Sequence, residues 1–175
     1  MKPIPGMKRV AGIKPLLLIG YGNPLRQDDG LGWHIAMAIE ALDLPGLQVL
    51  AAQQLTLELA APMALAEAVV FVDAAYGKDA ANGSAQAIEP LALKPLHHNP
   101  QAPDPGPQTW SHQLTPQALL MLAGELYGHQ PAALQLLVPA QWDGHGEGFS
   151  PCAAAALPTA MALVVGWAGE ESRRA

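Results

Sequence analysis

Two rhythms of apolar and polar residues run along the chain. Leu16 to Ile19, Val69 to Val72 and Leu134 to Val138 are short apolar runs, the last interrupted only by Gln135. Runs of this length without alternation predict strands buried on both faces, as in a parallel sheet. "LQVLAA" at 47 to 52 is a weaker fourth strand. "SAQAIEPLAL" at 84 to 93 is a fifth, and its Pro90 suits only an edge or a strand end.

Helical spacing fills the intervals. Leu31, Ile35, Ala38 and Leu42 share one face of a helix that closes near Leu44-Pro45-Gly46. Leu119, Leu122, Ala123 and Leu126 do the same for a helix starting at Thr115-Pro116 and stopping at Gly128. Ser150-Pro151 places a hydroxyl cap and an N1 proline before a last helix that runs toward Trp167, with Pro158 expected to kink it or loosen its second turn. A further helix, from about Leu57 to Glu67, contains Pro62. Alternating strands and helices predict an α/β fold: one three-layer α/β/α domain with a mostly parallel, five-stranded twisted sheet. The expected boundaries are 1–13 for a loose, flexible N-terminal extension and 14–170 for the domain. A loop insertion is expected at about 94–110, where "HHNPQAPDPGPQ" (97 to 108) is too polar and broken to pack.

Composition narrows the class. A chain of 175 residues suits one domain and buries enough surface to fold without staples. Half the residues are apolar and 14% are charged, yet Gly, Pro or charge interrupts the apolar stretches short of the ~20 residues a bilayer span needs. The N-terminal "MKPIPGMKRVAGIK" is basic but its apolar core is too short for a signal peptide. A net charge of −6 argues against a nucleic-acid surface, and the single Cys152 excludes an internal disulfide framework and a thiolate zinc site. The expectation is a soluble, cytoplasmic protein.

The chemistry concentrates in "IGYGNPLRQDDGLG", residues 19 to 32, between the first strand and the first helix. A dinucleotide turn would need G-x-G-x-x-G, but the third glycine position holds Leu25, and no Lys-Ser/Thr of a P-loop follows. Asp28 and Asp29 would also repel a phosphate at the helix N-terminus. No nucleotide is expected. Helix capping by Asp28 would use one acid of the pair and leave the other beside two glycines, where a ligand can approach the backbone closely.

In an open parallel sheet the loops that follow strands gather at the carboxyl edge, where ligands bind. Asp29 lies there, Asp73 in "VVFVDAA" immediately follows the run from Val69 to Val72, and His112 in "WSHQLTPQALL" precedes a capped helix. Two carboxylates and an imidazole at one edge could hold a metal ion, or could pair an acid with a base. Taken singly, each residue is as well read as a turn-former, a cap or a solvated side chain.

These residues carry a family likeness. The chain resembles the maturation endopeptidases of [NiFe]-hydrogenases, which remove a C-terminal extension from the hydrogenase large subunit after nickel insertion. "GYGNPLRQDDGLG" looks like that family's G-x-G-N…D-[DE]-x-x-G signature, "VFVDAA" like its second acidic motif and "SHQLTP" like its histidine motif. "QLTLELA" and "HGEGFSP" look like features of the proteases serving cytosolic, cofactor-linked hydrogenases. The likeness runs from Leu16 to about Trp167 and is poorest between Tyr76 and Trp110.

The resemblance implies a metal-contacting set of Asp29, Asp73 and His112, with Asp29 and Asp73 as the catalytic acids. Some relatives carry Glu where this chain has Asp29. The nickel would be that of the precursor, and the partner would be the large subunit precursor of a [NiFe]-hydrogenase, met transiently by a monomer. Asn23, Gln54 and Thr56 are the expected substrate contacts, with Gln54 and Thr56 lining the cleft, capping the next helix, or both. Cys152, near a helix start with His145 close in sequence, is an alternative nucleophile, although "CAAAA" reads as the setting of an inert thiol. Asp143, His145 and Glu147 read as substrate contacts or solvated loop residues, and His97-His98 as a loop pair poorly placed to preorganise a metal.

Overall fold

The computed structural model describes residues 15–76, 91–96, 114–142 and 144–173. Among these residues five strands form one sheet: β1 (Leu16–Tyr21), β2 (Leu47–Ala52), β3 (Ala68–Tyr76), β4 (Leu93–Pro95) and β5 (Ala132–Ala140). Their spatial order is β2-β1-β3-β5-β4, with β4 alone antiparallel to its neighbour. The helices among the described residues are α1 (Leu31–Glu40), α2 (Ala60–Met63), α3 (Pro116–Tyr127) and α4 (Pro151–Arg173).

Strand parity sorts the core into two layers. Leu16, Leu18, Val70, Val72, Leu136 and Val138 face α1 and α4, meeting Ile35, Ile39, Val164 and Trp167. Leu17, Ile19, Val69 and Phe71 face the other way, onto Met63 of α2 and Leu119, Leu120 and Ala123 of α3. Covered on both sides, the central strands need apolar residues at every position, which is why they read as unbroken runs. The three-layer α/β/α expectation with a mostly parallel five-stranded sheet is what the chain adopts.

Several details depart from the sequence reading. Only the last residue of the 84–93 strand lies in β4, which starts at Leu93; 91–92 are not strand, and 84–90 lie outside the described residues. Strand pairing with β5 therefore reaches into the expected loop region at 94–95, while 97–110 lie outside the described residues. The segment 1–13 also lies outside them. In place of one helix over 57–67 there is a 3-10 turn, Leu57–Leu59, and a single α-turn, Ala60–Met63, with Pro62 inside it.

Helix α1 stops at Glu40, and its buried stripe is Leu31, Ile35, Ala36 and Ile39; Leu42 lies beyond it, half exposed. Helix α3 has the expected limits, with Thr115 accepting from the Ala118 amide at 3.1 Å and Gly128 in the left-handed conformation at its end. It buries Leu120 rather than Leu126. Helix α4 continues through Pro158 to Arg173, past the expected end of the domain. By length and composition this helix could cross a membrane, while Ala153, Ala160, Val164 and Trp167 are buried in the core.

Candidate functional site

The sheet sets the position of the site. Strand β1 leads to β2 on one side, whereas β3 lies on its other side. The chain's winding therefore reverses between β1 and β3, and crevices at such switch points are where open α/β sheets bind ligands. Parallel pairing of β1 with β3 runs to Gly20 and Val72, after which β3 continues to Tyr76 beside β5. Asp73 thus lies inside a strand rather than after one, at the notch where β1 leaves the sheet.

The chain leaves β1 by a tight loop. Gly22 adopts φ +132°, and a Cβ there would overlap the Asp29 carbonyl. A side chain at Gly32 would overlap the carbonyls of Tyr21 and Val72, so α1 can rest on the strands only with glycine at that position. Between these glycines the loop folds on its own polar groups. Asn23 Oδ1 accepts from the Leu25 amide at 3.0 Å, and the Asn23 amide donates to Asp29 Oδ2 at 3.0 Å. Residues Gln27–Gly30 form a 3-10 turn that runs into α1.

The two adjacent acids have different fates. Asp28 is fully buried and caps no helix: the N-cap position of α1 is Gly30, and no side chain caps it. The Asp28 carboxylate instead accepts from the amides of Gln141 (2.8 Å), Trp142 (3.0 Å) and Ser150 (2.8 Å), and from the Ser150 hydroxyl (2.5 Å). Burial alone would raise its pKa, but these donors outweigh burial and hold it below the usual carboxylate range. Ser150 also accepts from the Ala153 amide at 3.3 Å, so the cap of α4 and the anchor of Asp28 are one hydroxyl. The backbone reinforces the join: Asp28 donates to the Trp142 carbonyl at 3.1 Å, and Gly146 donates to that of Leu25 at 3.3 Å.

Asp29, half-buried, points elsewhere and meets Asp73 electrostatically. The pKa of Asp73 is pushed up to about 6, first by burial and further by the negative charge of Asp29; hydrogen bonds from Tyr21 and from the Ala74 amide (2.8 Å) act the other way. Tyr21 is held above its ordinary range by burial and by the Asp73 charge, and its hydroxyl also meets the Gln135 side chain. Tyr21, Asp73 and Gln135 have the parity of Ile19, Phe71 and Ala133, so all three project from neighbouring strands on the α3 side of the sheet.

The other sequence candidates divide as follows. His112, His97, His98 and Asp143 lie outside the described residues. Among the described residues, no three His, Cys, Asp or Glu side chains cluster as a metal ion would require. Asn23 builds the loop, Gln54 is exposed, and the Thr56 hydroxyl makes no cap bond but meets the Glu58 carboxylate. Helix capping by Thr56 is therefore corrected. His145 and Glu147 are exposed, and Cys152 Sγ lies 3.3 Å from Ser150 Oγ and 4.0 Å from the Pro139 carbonyl.

Tyr21, Gln135 and Ser150 were not singled out in the sequence as parts of this site. Parity offered a signal for the first two: Leu17, Ile19 and Tyr21 alternate on one face, as do Val69, Phe71 and Asp73. For the partnership of Asp28 with Ser150, 122 residues apart, the sequence offered none.

No family model matches the chain, and neither does any curated protein. Solved structures do. The hydrogenase maturating endopeptidase HybD from E. coli superposes with a TM-score of 0.63 at 19% identity, covering 89% of this chain and 93% of that one. The [NiFe] hydrogenase maturation protease HycI from Thermococcus kodakarensis KOD1 gives 0.61 at 19% identity, with the same coverage. An endopeptidase from Escherichia coli gives 0.59 at 21% identity, over 87% of this chain and 90% of that one. The sheet order, the switch-point crevice and its two acids thus occur on a chain with the fold of the [NiFe]-hydrogenase maturation proteases.

Proposed function

We propose that the protein is a cytoplasmic endopeptidase that removes a C-terminal extension from the nickel-loaded large subunit precursor of a [NiFe]-hydrogenase. The observation that carries the reading is the pair Asp29 and Asp73 at the switch point of a maturation-protease fold, close enough that one charge raises the pKa of the other. On this reading Asp29, Asp73 and His112 recognise nickel already held by the precursor, which is part of the substrate. Carboxylate and imidazole ligands together suit nickel or zinc better than calcium, which prefers oxygen alone. A cation also relieves the repulsion between the two acids.

Asp73 supplies the base. At a pKa of about 6 it holds a proton more tightly than an ordinary carboxylate does, so it is a better acceptor from an attacking water. The Tyr21 hydroxyl and the Ala74 amide fix its orientation. The precursor's nickel compensates the charge of the acid pair on docking, whereas a nickel-free precursor leaves the pair uncompensated. Asn23, Gln54 and Thr56 line the approach of the peptide.

The test is to mix the purified protein with nickel-loaded and nickel-free precursor and to weigh the large subunit by mass spectrometry. Loss of a short C-terminal peptide from the loaded form alone is expected. Tight association without a change in mass would make the protein a nickel-binding assembly factor instead. Turnover of small substrates alone would make it a small metal-dependent hydrolase. Equal cutting of both precursors would remove the metal-reading role.

A further inference from the structure

The two ends of the sheet are built differently. Strand β4 closes one end with three residues, two of them Lys94 and Pro95, both exposed. Short length, Lys and Pro are the usual devices that prevent a sheet edge from pairing with another chain. Strand β2, at the other end, has none of them. It has six residues, and "LQVLAAQQL" (47 to 55) contains neither charge nor proline.

Its pairing with β1 fixes which backbone groups remain open. The Leu16 amide donates to the Gly46 carbonyl and the Gly22 amide to that of Ala52, at opposite ends of an uninterrupted register. Even-numbered residues of β2 therefore turn their N–H and C=O toward β1, and odd-numbered ones turn theirs outward. The Leu47 amide bonds the Leu44 carbonyl. Val49 and Ala51 present amide and carbonyl groups away from the sheet, and no strand pairs with them among the described residues.

From this edge we infer that the protein holds its substrate by strand addition: an extended segment of the precursor pairs with Val49 and Ala51 as a sixth strand. The inference rests on the protease reading and adds how the chain being cut is gripped. Donors and acceptors repeating every second residue along a straight edge are matched by an extended polypeptide backbone. The edge is also continuous with the acid pair. Ala52, where β2 ends, lies beside Tyr21, and the Tyr21 hydroxyl bonds Asp73. Strands lie about 4.8 Å apart, so an added strand runs roughly 14 Å from the line of β3, and four to five extended residues (about 3.3 Å each) bridge that distance. The paired segment thus begins about four residues from the scissile bond. A neutral edge beside an acidic crevice divides the work: backbone pairing grips the chain, and the acids read the cation.

Amide hydrogen exchange on the wild-type protein tests this without relying on turnover. Nickel-loaded precursor should slow exchange at Val49 and Ala51, more than tenfold, and leave the exposed residues of β4 unchanged. In steady-state cleavage, Ala51→Pro removes an outward N–H without breaking a bond to β1, and should raise KM about tenfold with kcat within twofold. Ala51→Val keeps the amide and should raise KM far less than Ala51→Pro does. Cleavage by the wild type with Val49 and Ala51 left unprotected would overturn strand addition and leave the protease reading standing. Protection without any cleavage would support the docking edge and sink the protease reading. Protection that needs no precursor and accompanies a doubled mass in sedimentation would assign the edge to a second copy of this chain and overturn the proposal.

Discussion

Replacing Asp28 by Asn tests the claim that the first acid of the pair serves structure alone. The substitution keeps the shape and removes the charge. With its amide oxygen in the place of Oδ2 it can still accept from Gln141, Trp142 and the Ser150 hydroxyl, but its NH2 then faces the Ser150 amide. Gln141 and Trp142 are exposed, so water can satisfy their amides; Ser150 is fully buried, so its amide and hydroxyl have no such recourse. Hydrogen bonds to a charged acceptor contribute about 1.5–3 kcal/mol each and are not additive, which gives a loss of about 3 kcal/mol. For a chain of this size that lowers Tm by about 6–12 °C. The pH dependence has a defined sign. A carboxyl whose pKa is depressed on folding stabilises fully above its unfolded value, about 3.9, and loses that contribution as pH falls through the folded value. Calorimetry should therefore show the gap between wild type and Asp28→Asn narrowing below about pH 4. A Tm within about 2 °C of wild type, or a gap that persists unchanged into acid, would refute the tether. Asp29→Asn, at a half-buried site where the carboxylate accepts from the Asn23 amide, should cost less than about 1 kcal/mol and yet abolish cleavage of the loaded precursor.

Asp73 should titrate near pH 6 in carboxyl NMR; Asp29→Asn should lower that midpoint by removing a like charge, and Tyr21→Phe should raise it by removing a donor. A midpoint near 4 that ignores both variants would show that the acids do not meet. Cys152→Ser should cleave at the wild-type rate, since a hydroxyl beside Ser150 replaces the thiol at little cost; a rate lost beyond tenfold by the same mass assay would make Cys152 the nucleophile. Gly22→Ala should cost at least about 1–3 kcal/mol, measured by denaturant unfolding, because the new methyl overlaps the Asp29 carbonyl and φ at this position is +132°. A variant as stable as wild type would mean that the loop relaxes freely.

How much of this was legible depended on how local the cause was. Strands β1, β3 and β5 could be read because burial on both faces demands apolar residues in succession, a requirement each run records by itself. Their ends could not. Strand β3 continues through Asp73 to Tyr76 because β5 pairs with it throughout, and pairing is a property of two segments. Strand β4 was misplaced for the same reason: three residues form a strand there because Leu134, Gln135 and Leu136 lie alongside. Caps are local and were legible, as Thr115 and Ser150 show. Buried stripes of helices were legible only in part, because which neighbouring leucine turns inward depends on the face each helix meets.

The acid pair marks the limit of local reading. In sequence Asp28 and Asp29 are equivalent, and each could cap, tether or bind. In a tight helical turn, however, successive side chains diverge by about 100–120° about the axis, so two neighbours cannot face one target. One must turn inward and the other toward the crevice. The loop after β5 decides which, for its amides and Ser150 converge on Asp28 and leave Asp29 directed at the Asn23 amide beside the switch point. An acid can be buried at full charge only where donors surround it, and 141–150 supplies them. The same bonds hold that loop in place, so the position of Asp29 depends on its buried neighbour Asp28. Loosening Asp28 should therefore weaken cleavage in proportion to the mobility it gives the 22–30 loop, even at temperatures where the domain remains folded.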